Sequence, residues 1–365
     1  MTYEAARSIT GPYLATLGAS AALVGFVAGF GELLGYSLRL VSGYLADKTQ
    51  KYWAITIIGY VINLAAVAAL ALAGDWQVAS LLIILERVAK AIRVPARDAM
   101  LSHAGSHVGL GWAFGLHEAL DRGGAMIGPL IVAAVLYYKG TYQESFALLL
   151  IPACLALIAL TVAFKLYPNP QHLEIKLKKL EPHGMTAPFW IYLLGAGLIA
   201  AGYTDFSLIA YHFEKQSILS PVWIPIFYSF AMGLITIAAP LLGYLYDKKG
   251  IIVLIWVSIL SAFFSPLVFL GEFYLGLLGI LLWSIGIGAH ESLMRAIIAN
   301  MISSKNRASA YGVFNAGFGV FWFVGSVLIG VLYDFSIWTV VVFSFSIQLI
   351  AVPILFWVKK QIDKV

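Results

Sequence analysis

The residues best suited to chemistry in this chain are ionisable groups set inside apolar stretches. Glu86, Lys90, Arg93 and Arg97 follow one another at i+4, i+3 and i+4, which puts them along one stripe of a helix, with Arg87 beside them. Further on, His117-Glu118-Ala119-Leu120-Asp121-Arg122 contains two i, i+4 pairs on adjacent faces, His117 with Asp121 and Glu118 with Arg122. Glu32 and Arg39, seven residues apart, share roughly one face of an earlier stretch. Desolvation favours the neutral form of a carboxylate and a nearby cation favours the charged form. An acid exposed to each in turn can therefore load and release a proton. Asp121, Glu118, Glu32 and Asp205 are the candidates for that role. Glu118 with Arg122 reads equally as a structural ion pair. Arg39, Arg87, Lys90, Arg93, His117, Tyr203 and Glu291 are candidates for a substrate pathway. Tyr211, Tyr228, Trp283, Phe314 and Trp322 either line an amphipathic pocket with Tyr203 or anchor at a membrane interface.

The elements that must position these groups are long and apolar. The 365 residues are 61% hydrophobic and 11% charged, with a mean hydropathy of +0.89, whereas a soluble domain carries about 25% charged residues. Only helices and closed barrels satisfy their backbone in lipid, and these runs are continuous rather than alternating. The expectation is an all-α polytopic membrane protein with spans at 18–45, 53–74, 76–95, 110–138, 143–166, 188–212, 220–246, 250–271, 273–294, 308–333 and 336–358. Thr2–Leu17 is left over. The polar stretch 167–187 reads as a linker between an N-terminal bundle, 1–166, and a C-terminal bundle, 188–365. Basic residues concentrate in alternate loops, while Arg7, Lys139 and Lys215 fall on the other side. That bias makes the loop at 46–52, the linker and the C-terminus cytoplasmic in a multi-pass protein of the cell membrane. Met1–Thr10 is polar and no cleavable signal is visible. The single Cys154 provides no disulfide framework.

A repeat organises the chain. Gly43-Tyr44-Leu45-Ala46-Asp47-Lys48 returns as Gly243-Tyr244-Leu245-Tyr246-Asp247-Lys248, each copy a charged break between apolar runs. The register extends to Ala113-Phe114-Gly115 with Ala310-Tyr311-Gly312, and to Gly128 with Gly325. Parallel halves related by an axis along the membrane normal give such a register. It aligns Thr2-Tyr3-Glu4 with Tyr203-Thr204-Asp205, yet about 22 Å of helix precedes Asp205 and has no counterpart ahead of Glu4. The sequence is expected to begin near the outer end of its first membrane helix. A shifted start, a truncation and a short natural variant fit that expectation equally.

Taken together these patterns resemble the major facilitator superfamily over nearly the whole chain, apart from the body of a first helix. The family's loop signature between helices two and three is matched at Gly43, Leu45, Ala46, Asp47, Lys48 and Lys51, with Gln50 where the family has glycine. Its echo is matched at Gly243, Leu245, Asp247, Lys248 and Gly250. The helix-four arginine corresponds to Arg87, and Gly124-x-x-x-Gly128-Pro129 is similar to the helix-five motif of family antiporters. The resemblance implies two helical bundles rocking about a central site, with Asp47 bonding helix ends of the opposite bundle to hold the cytoplasmic side closed. Otherwise Asp47 is a turn-forming acid. Glu291 and Arg93, related by the repeat, are expected either to form a cytoplasmic latch or to serve their own bundles.

The function expected is secondary active transport of a small organic solute, coupled to protons, and the Gly-Pro motif points to efflux. The cluster of Arg39, Arg87, Lys90 and Arg93 suits an anionic or zwitterionic cargo. The alternative is a divalent metal-ion transporter using His117, Asp121, His212, Glu214 or His290, although their spacing matches no recognised site. A receptor or scaffold has little soluble chain to work with. No nucleotide loop, nucleophile elbow or clustered metal motif suggests an enzyme or a cofactor. The low charge outside the apolar runs argues against nucleic acid. The expected partners are the bilayer, protons and a small solute or ion, and the expected state is a monomer.

Overall fold

A computed structural model describes residues 1–105, 110–168, 185–302 and 307–362. Most of the 167–187 linker, with Lys176, Lys178 and Lys179, lies outside the described residues. The described chain is helical, with no strand. In order the helices are α1 Thr2–Thr16, α2 Ala21–Thr49, α3 Tyr52–Ala69, α4 Trp76–Gly105, α5 Leu110–Lys139, α6 Tyr142–Leu148, α7 Leu150–Leu166 and α8 Ala187–Gly202. They continue as α9 Phe206–Lys215, α10 Trp223–Lys249, α11 Ile252–Ala262, α12 Phe264–Leu270, α13 Phe273–Met301, α14 Arg307–Phe335 and α15 Ile337–Ile362.

Each of the eleven expected spans coincides with helix, and three of them are built from two α-helices in succession. Ten stretches among the described residues are long and apolar enough to cross a bilayer. α4 is not among them because its charged stripe lowers its hydropathy. Thr2–Leu17, left over in the sequence reading, forms α1. Pro95 reads as a helix end, yet α4 continues through it for ten residues. A membrane helix tolerates proline where neighbouring groups re-satisfy the freed carbonyl.

The helices gather into two compact units. The first comprises Met1–Ala19, Phe30–Lys178 and Ser220–Ser229, and the second Ser20–Gly29, Lys179–Leu219 and Phe230–Val365. In the first unit α3 packs along α4, and α1 lies against α3, α4, α5 and α6. The Tyr13 hydroxyl donates to the carbonyls of Leu70 and Ala73, at 2.9 and 2.7 Å. These bonds tie α1 to the single 3-10 turn, Leu70–Leu72, that follows α3. A Cβ added at Gly124 would lie 2.9 Å from the Met1 nitrogen, and one at Gly128 3.0 Å from the Ala5 Cβ. The Gly124-x-x-x-Gly128 spacing thus forms the groove in α5 that α1 occupies. Close backbone approach is what small residues provide in membranes, where apolar side chains gain little by leaving lipid.

In the second unit α8 packs on α14 and α15, and α13 on α11 and α12. The span expected at 188–212 breaks at Tyr203-Thr204-Asp205. A broken helix in lipid must satisfy the backbone groups it frees, and here it does. Asp205 caps α9 by accepting from the Ser207 amide at 2.9 Å. The Gly202 carbonyl accepts from the Ser344 hydroxyl at 2.6 Å and the Gln348 amide at 3.3 Å. The Trp283 indole donates to the Thr204 carbonyl at 2.9 Å, and the Tyr203 hydroxyl returns a bond to the Trp283 carbonyl at 2.5 Å.

The repeated Gly-Tyr-Leu-x-Asp-Lys segments, read above as charged breaks, are the last turns of α2 and α10. The chain turns one residue later, at Gln50 with φ 55° and Gly250 with φ 69°. Both amides close the same bond, Gln50 to the Ala46 carbonyl at 2.8 Å and Gly250 to the Tyr246 carbonyl at 2.7 Å. Gln50 thus occupies the left-handed position that glycine fills in the second copy, so its departure from the pattern leaves the turn unchanged.

Candidate functional site

The charged stripe of α4 becomes a site through α1, α2 and α3. Gly31 on α2 leaves room for the Arg87 stem, since a Cβ there would lie 2.9 Å from the Arg87 Cγ. The Arg87 Nη1 then reaches the Glu32 Oε1 at 2.6 Å and also the Tyr3 hydroxyl. The same Glu32 oxygen lies 3.2 Å from the Arg7 Nη2. The Arg87 Nε is 3.6 Å from the Glu86 Oε2, and the Asn63 amide donates to the Glu86 Oε1 at 2.6 Å. The Lys90 ammonium sits 3.4 Å over the centroid of the Tyr3 ring and 4.0 Å from the Glu4 Oε1. Glu4 accepts a second bond, from the Tyr228 hydroxyl at 2.5 Å.

Three carboxylates, Glu4, Glu32 and Glu86, thus meet three cations, Arg7, Arg87 and Lys90. A single charge at mid-membrane costs about 2.5–3.5 kcal/mol, and such groups are stable when paired. Among the described residues the six side chains named here sum to zero net charge, which meets that condition. Beside it is a cavity of about 20 Å³ lined by Tyr3, Arg7, Thr10, Glu86 and Arg87 among others, room for about one water with several polar partners.

The other candidates fall outside this cluster. Arg93 and Arg39 stand over tyrosine rings, Arg93 at 4.0 Å from the Tyr60 centroid and Arg39 at 5.7 Å from that of Tyr36. Glu118 and Arg122 form an i, i+4 pair at 2.7 Å within α5, with Glu118 60% exposed. Asp121 is exposed and His117 half-buried. Asp205 is buried as the α9 cap, and Glu291 is exposed on α13. Pro129 is buried inside α5.

Around the repeated motif, Lys48 lies over the Tyr44 ring and Lys248 over the Tyr244 ring, with all four side chains exposed. Gly43 faces Pro95 of α4, whereas Gly243 meets nothing within 4 Å. Asp247 and Lys51 are exposed. The side chain of Asp47 lies outside the described residues.

Among the aromatic candidates, Tyr203 gathers Trp283, Trp322, Phe264 and His290 within 4.8 to 6.2 Å of its centroid. Phe314 stacks on Tyr192 and Phe318. Tyr211 packs on Tyr333 instead, and Tyr228 serves Glu4. His212 bonds the Tyr333 hydroxyl at 2.9 Å. Among the described residues no group of three His, Cys, Asp or Glu side chains is placed to hold a metal. His117, Asp121, His212, Glu214 and His290 are therefore not assembled into a metal site.

Sequence reasoning missed Tyr3, Glu4, Arg7 and Asn63. The charge bias puts Arg7 on the outer side, in the stretch Thr2–Leu17 left over from the expected spans. The signal was there in the helical spacing of Tyr3, Glu4 and Arg7, which puts Tyr3 and Arg7 at i, i+4.

The comparisons with known proteins agree with this architecture. The family model for the Major Facilitator Superfamily matches residues 1–289. An uncharacterized protein of Mycobacterium tuberculosis is 40% identical over 366 residues, covering 98% of this chain and 90% of that protein. An uncharacterized MFS-type transporter of Methanocaldococcus jannaschii is 24% identical over 345 residues, covering 92% and 86%. Among solved structures, the nucleoside transporter NupG superposes with a TM-score of 0.73 at 16% identity, covering 100% of this chain and 98% of that one. The peptide transporter POT in complex with sulfate gives 0.76 at 13% identity, covering 99% and 92%. With ten apolar membrane-length stretches among the described residues and a family model matching well over half its length, the chain belongs to the major facilitator superfamily.

Proposed function

We propose that the protein is a secondary active transporter that moves a small organic solute by alternating access, in exchange for protons and in the direction of export. In this reading it works as a monomer in the cell membrane, with the turns after α2 and α10 and the C-terminus in the cytoplasm, and it catalyses no chemical conversion. Solved transporters of the same fold carry nucleosides and peptides, which supports a small polar cargo.

The observation that carries the coupling is Glu32, one of whose oxygens lies at 2.6 Å from Arg87 and 3.2 Å from Arg7. Protonating this carboxylate would turn a neutral cluster into one with an excess positive charge. That excess is tolerated when the cluster faces water and disfavoured when it is closed off. The protonation state of Glu32 would therefore select which arrangement of the helices is stable. Glu118 is tied to Arg122, Asp205 caps a helix and Asp121 stands apart from the cluster, so Glu32 takes precedence over them.

Proteoliposomes holding a pH-sensitive dye test this reading. Wild-type vesicles challenged with uridine, dialanine or benzenesulfonate should show solute-dependent proton movement opposite to the solute, at least tenfold smaller with Glu32→Gln. Solute flux without proton movement would remove the coupling.

A further inference from the structure

Among the described residues, Arg93 is a deeply buried cation that the neutral cluster does not include. Arg93 is 8% exposed. Its stem crosses α3 at Gly59, where an added Cβ would come within 2.6 Å of the Arg93 Cβ. Its guanidinium carbon stands 4.0 Å from the centroid of the Tyr60 ring. Its neighbours along the stripe have acids of their own: Lys90 has Glu4, and Arg97 donates to the Asp98 Oδ1 at 2.7 and 2.9 Å. Among the described residues no carboxylate lies within ion-pair distance of Arg93, and its buried Nε has no hydrogen-bond partner.

A buried cation without an acid is costly, and the ring face offsets only part of that cost. A guanidinium resting on an aromatic ring keeps its planar fork of N–H donors for a carboxylate or phosphate, a match that a lysine ammonium does not make. We propose that Arg93, held on Tyr60 and passed by Gly59, is the subsite that receives the anionic group of the cargo, so that the cargo is a small organic carboxylate or phosphate. This rests on the transporter reading above and names its substrate class.

The test is the melting temperature of the purified protein with four probes that share one ring: benzoate, phenyl phosphate, benzylamine and benzyl alcohol. A ligand of the folded state raises stability in proportion to the logarithm of its concentration over Kd. Benzoate or phenyl phosphate should raise the melting temperature, and the two probes without negative charge should not. In Arg93→Gln and in Tyr60→Leu the half-saturating concentration should rise at least tenfold, while Lys359→Gln stays at the wild-type value.

Stabilisation by benzylamine or benzyl alcohol instead, no response to either anion, or an unchanged benzoate response in Arg93→Gln would each overturn the proposal. If Arg93→Gln fails to fold, the wild-type probe series and Tyr60→Leu still decide. Stabilisation by phosphatidylglycerol nanodiscs over phosphatidylcholine ones, with no response to soluble anions, would assign Arg93 to a lipid headgroup and likewise overturn it. Proton exchange driven by benzylamine would sink the anionic cargo while leaving the transporter standing.

Discussion

The first unit buries a network of opposite charges, whereas the second closes a broken helix mostly with neutral hydrogen bonds, Asp205 being the buried carboxylate that caps α9. In the first, Glu4, Glu32 and Glu86 balance Arg7, Arg87 and Lys90 around the ring of Tyr3. In the second, a break between α8 and α9 is closed by Tyr203, Trp283, Ser344 and Gln348, none of them charged. Both solutions pair polar groups away from water, but they differ in what they can respond to. A network of paired charges changes its net charge when it takes up a proton, and hydrogen bonds between neutral groups do not. The proposed proton coupling therefore rests on the first unit.

The largest effect expected from breaking this contrast is at Arg87. Arg87→Met leaves Glu32 and Glu86 short of their shared cation, and removing one partner of a buried pair costs about 3–5 kcal/mol. Thermal unfolding in detergent should show that loss, and adding Glu32→Gln should restore part of it. A smaller effect belongs to the second unit. Tyr203→Phe leaves the Trp283 carbonyl without that donor, a cost of about 1–3 kcal/mol, and the melting temperature should fall while the pH dependence of transport stays as in the wild type.

The smallest effect compares the two copies of the repeated motif. Gln50 holds a φ of 55° where Gly250 stands in the second copy. A non-glycine residue in that region costs about 1–2 kcal/mol, so Gln50→Gly should raise the melting temperature slightly, a change read by the same thermal assay.

Much of this was legible in the residues before the fold. Period and length locate the spans because lipid admits few alternatives, and the spacing of Glu86, Lys90, Arg93 and Arg97 already implied a partnered stripe. Which partner goes with which cation was not legible. Glu32 lies 55 positions from Arg87 in the chain, and its distance from Arg87 depends on Gly31 allowing α2 and α4 to meet closely. The role of α1 was hidden by its length, since fifteen residues fall short of a membrane crossing. The break at Tyr203 was hidden because the stretch around it is no less apolar than the continuous helices α2 and α5. Asp205, read as a candidate for proton exchange, carries in its Ser-directed cap the clue that a helix starts there.

The proposed coupling turns on which acid senses the proton. Glu32→Gln and Asp121→Asn, reconstituted side by side and assayed for solute flux from pH 5 to pH 9, test it most directly. The account predicts that Glu32→Gln flattens the pH dependence of flux while Asp121→Asn keeps the wild-type curve. A flat profile in Asp121→Asn together with a wild-type curve in Glu32→Gln would contradict it.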